Sequence, residues 1–474
     1  MSSIYKSVTS GVLYTGISKY STVIISIVIG AILARLLSPE EFGVVALITV
    51  IISFFNILTN AGIGPAVIQN KKLEEEDLQS IFLFSIIIGF ILALIFFFTA
   101  TPISSFYSNK ELIPLIRLMS LTVFFSALKI VPNALLLKKL KFKKVGIINV
   151  LVQLISGIFA VLFAFKGFSY YALIFKSIFD GMFTFAFFYW LSPIKITFNL
   201  KTSAINKILR FSTFQFLFNF INYFSRNLDN LLIGKFLSPA SLGFYDKSYQ
   251  LMMMPVSNLT HVITPVLHPV LSDFHYDKNR ISNAYNKVVL LLATIGFPLS
   301  VFLYFSASEI ILLLYGDQWM QSIPVFKILA LTVGLQMILS SSGSIFQAIN
   351  RTDLLFYSGG LSAIFMVSGI CYGIFIGQSL ESVGYGLIGA FLINFFQGFY
   401  YLIKRGLNQS LTTFYKTLFY PLIISIILVF NLLALEYFVI ENILLSLLLK
   451  LLISVLVTVV IFLMKKEGRD LILK

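Results

Sequence analysis

The sequence predicts an all-α polytopic membrane protein with about fourteen transmembrane helices: two six-helix lobes and a C-terminal pair. Three observations carry this. Mean hydropathy is +0.93, with 58% hydrophobic and only 12% charged residues, outside the range of soluble domains. Apolar runs long enough for a bilayer core, about 20 residues each, follow one another along the chain. The motif Leu37-Ser38-Pro39 with Gly43 recurs as Leu237-Ser238-Pro239 with Gly243. Arg35 matches Lys235 and Pro65 matches Pro265 in the same register, and each copy sits between two apolar runs, the signature of a doubled unit.

The predicted spans in the first lobe (1–200) are Tyr14–Leu36, Phe42–Gln69, Ser80–Ala100, Leu112–Leu137, Val145–Phe165 and Phe168–Leu191. The second lobe (201–406) contributes Ile208–Phe236, Leu242–Leu271, Ala284–Ser306, Ser322–Ile349, Leu354–Gly377 and Ser382–Ile403. Residues 407–474 add Phe414–Glu436 and Asn442–Met464. Each run must be helical, because an unpaired backbone group finds no partner in lipid. Met1 to Leu13 lacks a cleavable signal pattern, so the first span is expected to stay in place.

Lysine and arginine set the orientation. Outside the spans they gather on one side, as in Lys138, Lys139, Lys141, Lys143 and Lys144. Only Lys110 and Lys166 fall on the other side. The positive-inside rule then places both termini in the cytoplasm. Six spans separate the repeated motifs, an even number, so both lobes enter the membrane from the same side. Their pseudo-two-fold axis is expected to run along the membrane normal.

Interruptions come next. Asn60-Ala61-Gly62-Ile63-Gly64-Pro65 is expected to break span two, and Met254-Pro255, Pro265 and Pro269 to break span eight. Glu74-Glu75-Glu76-Asp77 reads as a solvated loop balanced by Lys71 and Lys72. His261, His268 and His275 are spaced by seven, about 10.5 Å of helical rise, too far for two imidazoles to share a metal. Cys371 is the lone cysteine, which excludes an intramolecular disulfide. P-loop, HExxH and Gly-x-Ser-x-Gly patterns are absent, so no ATPase or hydrolase signature is present.

Chemistry must therefore sit between helices. An ionisable residue at mid-membrane costs about 2.5–3.5 kcal/mol on insertion scales and usually faces a cavity. Arg35, Arg117, Lys235 and Lys327 lie near span ends and read as structural. Lys19, Lys129, Lys176, Arg226 and Lys247, with Asn222, are the candidate substrate-binding residues. Asp180 and Asp229 are candidates for coupling to protons or sodium. Arg226 and Asp229 share a face at i,i+3, and Lys176 and Asp180 are spaced for an i,i+4 pair. One reading has each acid neutralise its neighbour and staple the bundle. The other is a net-cationic, water-filled vestibule suited to an anionic head group.

Several stretches resemble the Wzx/WzxC-type polysaccharide flippases. They are Ser225-Arg226-Asn227-Leu228-Asp229-Asn230, Leu242-Gly243-Phe244-Tyr245, Tyr315-Gly316-Asp317-Gln318-Trp319 and Asn350-Arg351-Thr352-Asp353, with the first-lobe Leu37-Ser38-Pro39. The resemblance runs to about residue 405. It implies the multidrug/oligosaccharidyl-lipid/polysaccharide superfamily and a V-shaped pair of lobes. It also implies export of an undecaprenyl-diphosphate-linked oligosaccharide, often with ion antiport. The implied partners are that anionic lipid-linked glycan, membrane lipid and a polysaccharide polymerase. No nucleic acid and no cofactor beyond a coupling H+ or Na+ is expected. Related peptidoglycan-precursor flippases carry charges in helix two, whereas Phe42–Gln69 has none, which argues against lipid II. In related flippases a C-terminal helix pair forms a groove for the lipid tail. The alternatives are an ion-driven drug exporter of the same superfamily, which would favour an acidic or aromatic cavity, and a membrane glycosyltransferase or ligase.

Overall fold

The computed structural model describes residues 2–60, 62–70, 72–197, 200–201, 223, 227–272, 277–438 and 440–464, and the side chains of all these except 2–13, 261–270 and 272. The described residues are mostly helical, with no strand among them. They form two compact units, Met1–Gly243 and Phe244–Lys474.

In the first unit the helices are α1 (Ser2–Leu36), α2 (Pro39–Asn60), α3 (Ile63–Gln69), α4 (Glu75–Phe98) and α5 (Ala100–Tyr107). They continue with α6 (Leu112–Leu128), α7 (Ile130–Lys138), α8 (Phe142–Phe165), α9 (Tyr171–Leu191) and α10 (227–236). The helix α11 (Pro239–Ser272) leads into the second unit. There follow α12 (Lys278–Phe305), α13 (Ala307–Tyr315), α14 (Ser322–Ala330), α15 (Val333–Ala348), α16 (Thr352–Cys371), α17 (Leu380–Phe399), α18 (Leu411–Glu436) and α19 (Ile443–Met464). Single π-helical stretches, Tyr372–Ile376 and Tyr400–Gly406, extend α16 and α17.

Eleven of these stretches are long and apolar enough to cross a membrane, or twelve if α14 and α15, bent by 52°, count as one. The shortfall from fourteen lies in spans seven and eight. Most of span seven falls outside the described residues. Span eight is present as α11, long enough but too polar to qualify: Asp246, Lys247, Gln250 and Asn258 interrupt its apolar surface.

The repeated motif is a helix start. Pro39 opens α2, where its missing N–H costs nothing. Ser38 and Glu41 close a capping box, with the Ser38 amide donating to Glu41 Oε2 (2.6 Å) and the Glu41 amide to Ser38 Oγ (3.3 Å). The second copy repeats it with Ser238, whose Oγ accepts from the Ser241 amide at 3.0 Å. The two copies also meet. A β-carbon on Gly43 would overlap the carbonyl oxygen of Pro239, and one on Gly243 would overlap that of Pro39. Only glycine lets the backbones come this close.

A second match appears in the same light. Ile113-Pro114 through Thr122-Val123 aligns with Ile323-Pro324 through Thr332-Val333. Each stretch opens a helix that follows a short one, α5 or α13. Arg117 lies 5.1 Å from the Phe97 ring centroid, and its counterpart Lys327 lies 5.7 Å from that of Tyr304. These cations sit over aromatic rings in their own units, the structural role expected of them.

Span two breaks as predicted: α2 ends at Asn60, Gly62 adopts φ 76°, and α3 begins at Ile63. Span eight does not. The helix α11 continues through Pro255, Pro265 and Pro269, because one missing donor per proline leaves the neighbouring turns intact. The run Glu74 to Asp77 is not a loop either. Glu74 caps α4 in a box with Asp77, the next acids fill the first turn where the helix dipole favours them, and Glu76 pairs with Lys201. The described residues leave the histidine series unplaced, since the side chains of His261 and His268, and His275 entirely, lie outside them.

Large apolar side chains such as Phe98, Trp190 and Met464 face outward, while the helix seams hold small residues and buried cores such as Val67, Phe82, Val131 and Leu135. The C-terminal pair is pinned. The helix α18 packs on α12, and Lys450 of α19 reaches Glu309 at the start of α13 (2.5 Å) and the Phe305 carbonyl (2.7 Å). Burial opposes ionisation of Glu309, but hydrogen bonds from Lys450 and Ser446 outweigh it and hold the carboxyl below its usual range.

Two predictions follow from this packing. Gly43→Val should cost about 1–3 kcal/mol by forcing the helix starts apart, while Gly30→Ala, with open space around it, should not destabilise. Thermal unfolding in detergent compares them. Glu309→Ala should cost about 3–5 kcal/mol by stranding Lys450, and Glu309→Met with Lys450→Met should recover most of it. The pair's contribution should be full above the unfolded carboxyl value of 4.5 and vanish as pH falls through the lowered folded value.

Candidate functional site

Span four carries its charge at Lys129, where the backbone bonds from the Lys129 amide to the Phe125 carbonyl and from the Asn133 amide to the Lys129 carbonyl carry the helix through. The helix α6 runs to Leu128 and α7 from Ile130, with Pro132 in its first turn. The Lys129 ammonium is half-buried and makes no ion pair within 4 Å among the described residues. It lies within electrostatic reach of Asp180 on α9, a helix that packs against α6 and α7. Asp180 Oδ1 accepts a long hydrogen bond from Ser156 of α8 (3.4 Å). One turn beyond Lys129 on the same face, the buried Asn133 Oδ1 has no partner. An ammonium, a carboxylate, a hydroxyl and a free amide oxygen thus converge inside the first unit. Such an arrangement can exchange its internal charge pairing for an external anion.

The other predicted residues are dispersed. Lys176 does not pair with Asp180: the i,i+4 spacing permits it, but the carboxylate turns to Ser156 instead. Lys19 is half-buried on α1, its carbonyl accepting from Thr22. Asp229 is buried on α10, with Oδ1 accepting from the Asn230 amide (2.9 Å). Lys247 is buried in the second unit, 5.8 Å from the Tyr315 ring centroid. Arg226 and Asn222 lie outside the described residues. Asn133 and Ser156 escaped the sequence reading. Asn133 was legible as the i+4 neighbour of Lys129, but nothing local marks Ser156, which reaches Asp180 from another helix.

A cavity of about 180 Å³ lies elsewhere, beside the glycine contact, lined by Val44, Leu47, Tyr107, Asn109, Lys235 and Pro239. Burial pushes the Tyr107 hydroxyl up to about 12, so it stays a neutral donor to the Leu231 carbonyl. None of the eight predicted site residues lines this cavity.

Residues 32–324 match the family described as "Polysaccharide biosynthesis protein". The chain belongs to that family. Teichuronic acid biosynthesis protein TuaB of Bacillus subtilis is 25% identical over 90% of this chain and 88% of its own. Lipopolysaccharide biosynthesis protein WzxC of Escherichia coli is 25% identical over 86% and 85%. Among solved structures, lipid II flippase MurJ in an inward closed conformation superposes with a TM-score of 0.75 at 16% identity, covering 97% of this chain and all of that one. An inward-facing MATE family transporter gives 0.63 at 16% identity, over 80% of this chain and 93% of that one. This member of the polysaccharide biosynthesis family is thus a multi-pass membrane protein with the fold of the multidrug/oligosaccharidyl-lipid/polysaccharide superfamily, as the Wzx-type resemblance implied.

Accessibility of Lys129 can be measured directly. In a Cys371→Ser background, Lys129→Cys should react with a charged thiol reagent much faster than Ser156→Cys, whose parent serine is fully buried. Equal rates would place Lys129 in a dry core.

Proposed function

We propose that this chain is a flippase that makes and breaks no covalent bonds, moving an undecaprenyl-diphosphate-linked oligosaccharide from the inner to the outer leaflet. Lobes 1–200 and 201–406 alternate in exposing the head group, and residues 407–474 form the added pair. The chain lies in a bacterial or archaeal-type inner membrane with both termini cytoplasmic. The observation that carries this reading is Lys129: a half-buried cation within a span, without an ion-pair partner among the described residues. A charge so placed is costly unless it serves an anion or a solvated cavity. Membership of a polysaccharide biosynthesis family supplies the class of anion.

In this reading the diphosphate meets Lys129 first, then Lys19, Lys176 and Arg226, while the polyprenyl tail stays in lipid. Lys247 and Asn222 contact the glycan. Asp180 stands beyond ion-pair distance of Lys129 and leaves it free for the diphosphate. With Asp229, Asp180 exchanges H+ or Na+ against the substrate. An inside-negative potential favours outward movement of anionic charge by about 2.3 kcal/mol per charge per 100 mV. A polysaccharide polymerase then takes the product.

The MATE-like fold keeps drug export as a second reading. Cells carrying Lys129→Ala or Arg226→Ala should export roughly tenfold less glycan, the worth of one charged hydrogen bond to phosphate, while Lys129→Arg should retain export. Full export by both alanine variants at normal protein level would remove these cations from the mechanism. Resistance to cationic dyes conferred by the wild-type chain would favour the drug exporter.

A further inference from the structure

From Leu112 to Phe179 the sequence contains no acidic residue, yet five of its lysines crowd the turn between α7 and α8. Lys138 ends α7 and donates to the Asn70 carbonyl (2.7 Å), and Lys143 lies 5.2 Å from the Tyr14 ring centroid. Lys139 and Lys144 are exposed and Lys141 is half-buried. None of the five is within 4 Å of a carboxylate among the described residues. Elsewhere, Lys201 has Glu76 and Arg351 has a bidentate Asp353. At the tip, Leu140 adopts φ 54° and is 56% exposed, an apolar side chain ringed by cations.

We infer that this turn docks on anionic phospholipid head groups of the cytoplasmic leaflet, the orientation being that proposed above. Topology alone does not require such a cluster, since other loops on this face carry fewer cations. Several of these charges also sit in the first turn of α8, where the helix dipole opposes cations. A counter-charge for the cluster is not supplied by any carboxylate among the described residues. A phosphate-bearing leaflet supplies it within a Debye length of the surface. Leu140 enters between head groups, as apolar side chains do beside basic clusters on interfacial elements. The inference does not depend on which substrate is transported.

The test uses the full chain in neutral detergent, reading the unfolding midpoint as phosphatidylglycerol is added. Phosphatidylglycerol should stabilise the wild type more than phosphatidylcholine does, and 500 mM salt should erase the difference. Lys139→Gln with Lys144→Gln should raise the half-saturating lipid concentration about fivefold per lysine. Leu140→Ser should weaken the effect with no change in charge, and Lys404→Gln with Arg405→Gln should leave it intact. A lysine variant that responds like the wild type would overturn the inference. So would equal stabilisation by inorganic phosphate, which marks a free-anion site, or by a soluble acidic peptide, which marks a protein partner.

Discussion

Two helix starts lean on each other through their glycines. The carbonyl of Pro39 occupies the space where Gly243 lacks a side chain, and the carbonyl of Pro239 does the same for Gly43. This reciprocal contact explains why the motif is kept twice in the same register: serine and proline start each helix, and glycine lets it seat on its copy. In a bilayer such close approach matters more than apolar area, because lipid tails solvate a leucine as well as another helix does. The contact fixes the start of α2 against the start of α11.

The same duplication governs the cations over aromatic rings. Arg117 on Phe97 and Lys327 on Tyr304 repeat one device in each unit. Once these are set aside as structural, the intramembrane charge divides by what opposes it. Lys450 is held by Glu309 and the Phe305 carbonyl, with Glu436 nearby; Ser446 donates to the same Glu309 carboxylate, and the group locks the C-terminal pair in place. Lys129 has only the more distant field of Asp180. A locked pair stabilises; Lys129 has no such lock among the described residues.

Most of the fold was legible because hydrocarbon permits few alternatives. Long apolar runs had to be helices, and the repeated Leu-Ser-Pro motif marked the junctions between them, though not the capping box of Ser38 and Glu41. The eighth helix misled because proline was read as a stop. Within a packed bundle a single lost donor does not end a helix, so Pro255 passes without a break. The acids from Glu74 misled in the other direction, since a run of charge resembles a loop until its capping geometry is seen. At the candidate site, spacing singled out individual residues but did not give their partners. Lys176 and Asp180 have the right separation for a pair, yet Asp180 accepts from Ser156 and senses Lys129. Those neighbours come from α8 and the α6–α7 joint, and only tertiary packing brings them together.

The account rests on passage of a phosphate-linked glycan past unsatisfied positive charge, and purified protein tests this most directly. Liposomes containing the chain and a fluorescent polyprenyl-diphosphate oligosaccharide can be probed with an impermeant quencher while the membrane potential is set. Movement of the head group should exceed that in protein-free liposomes and accelerate in the direction that carries negative charge toward the positive side. Transfer no faster than in empty liposomes, at any potential, would contradict the account.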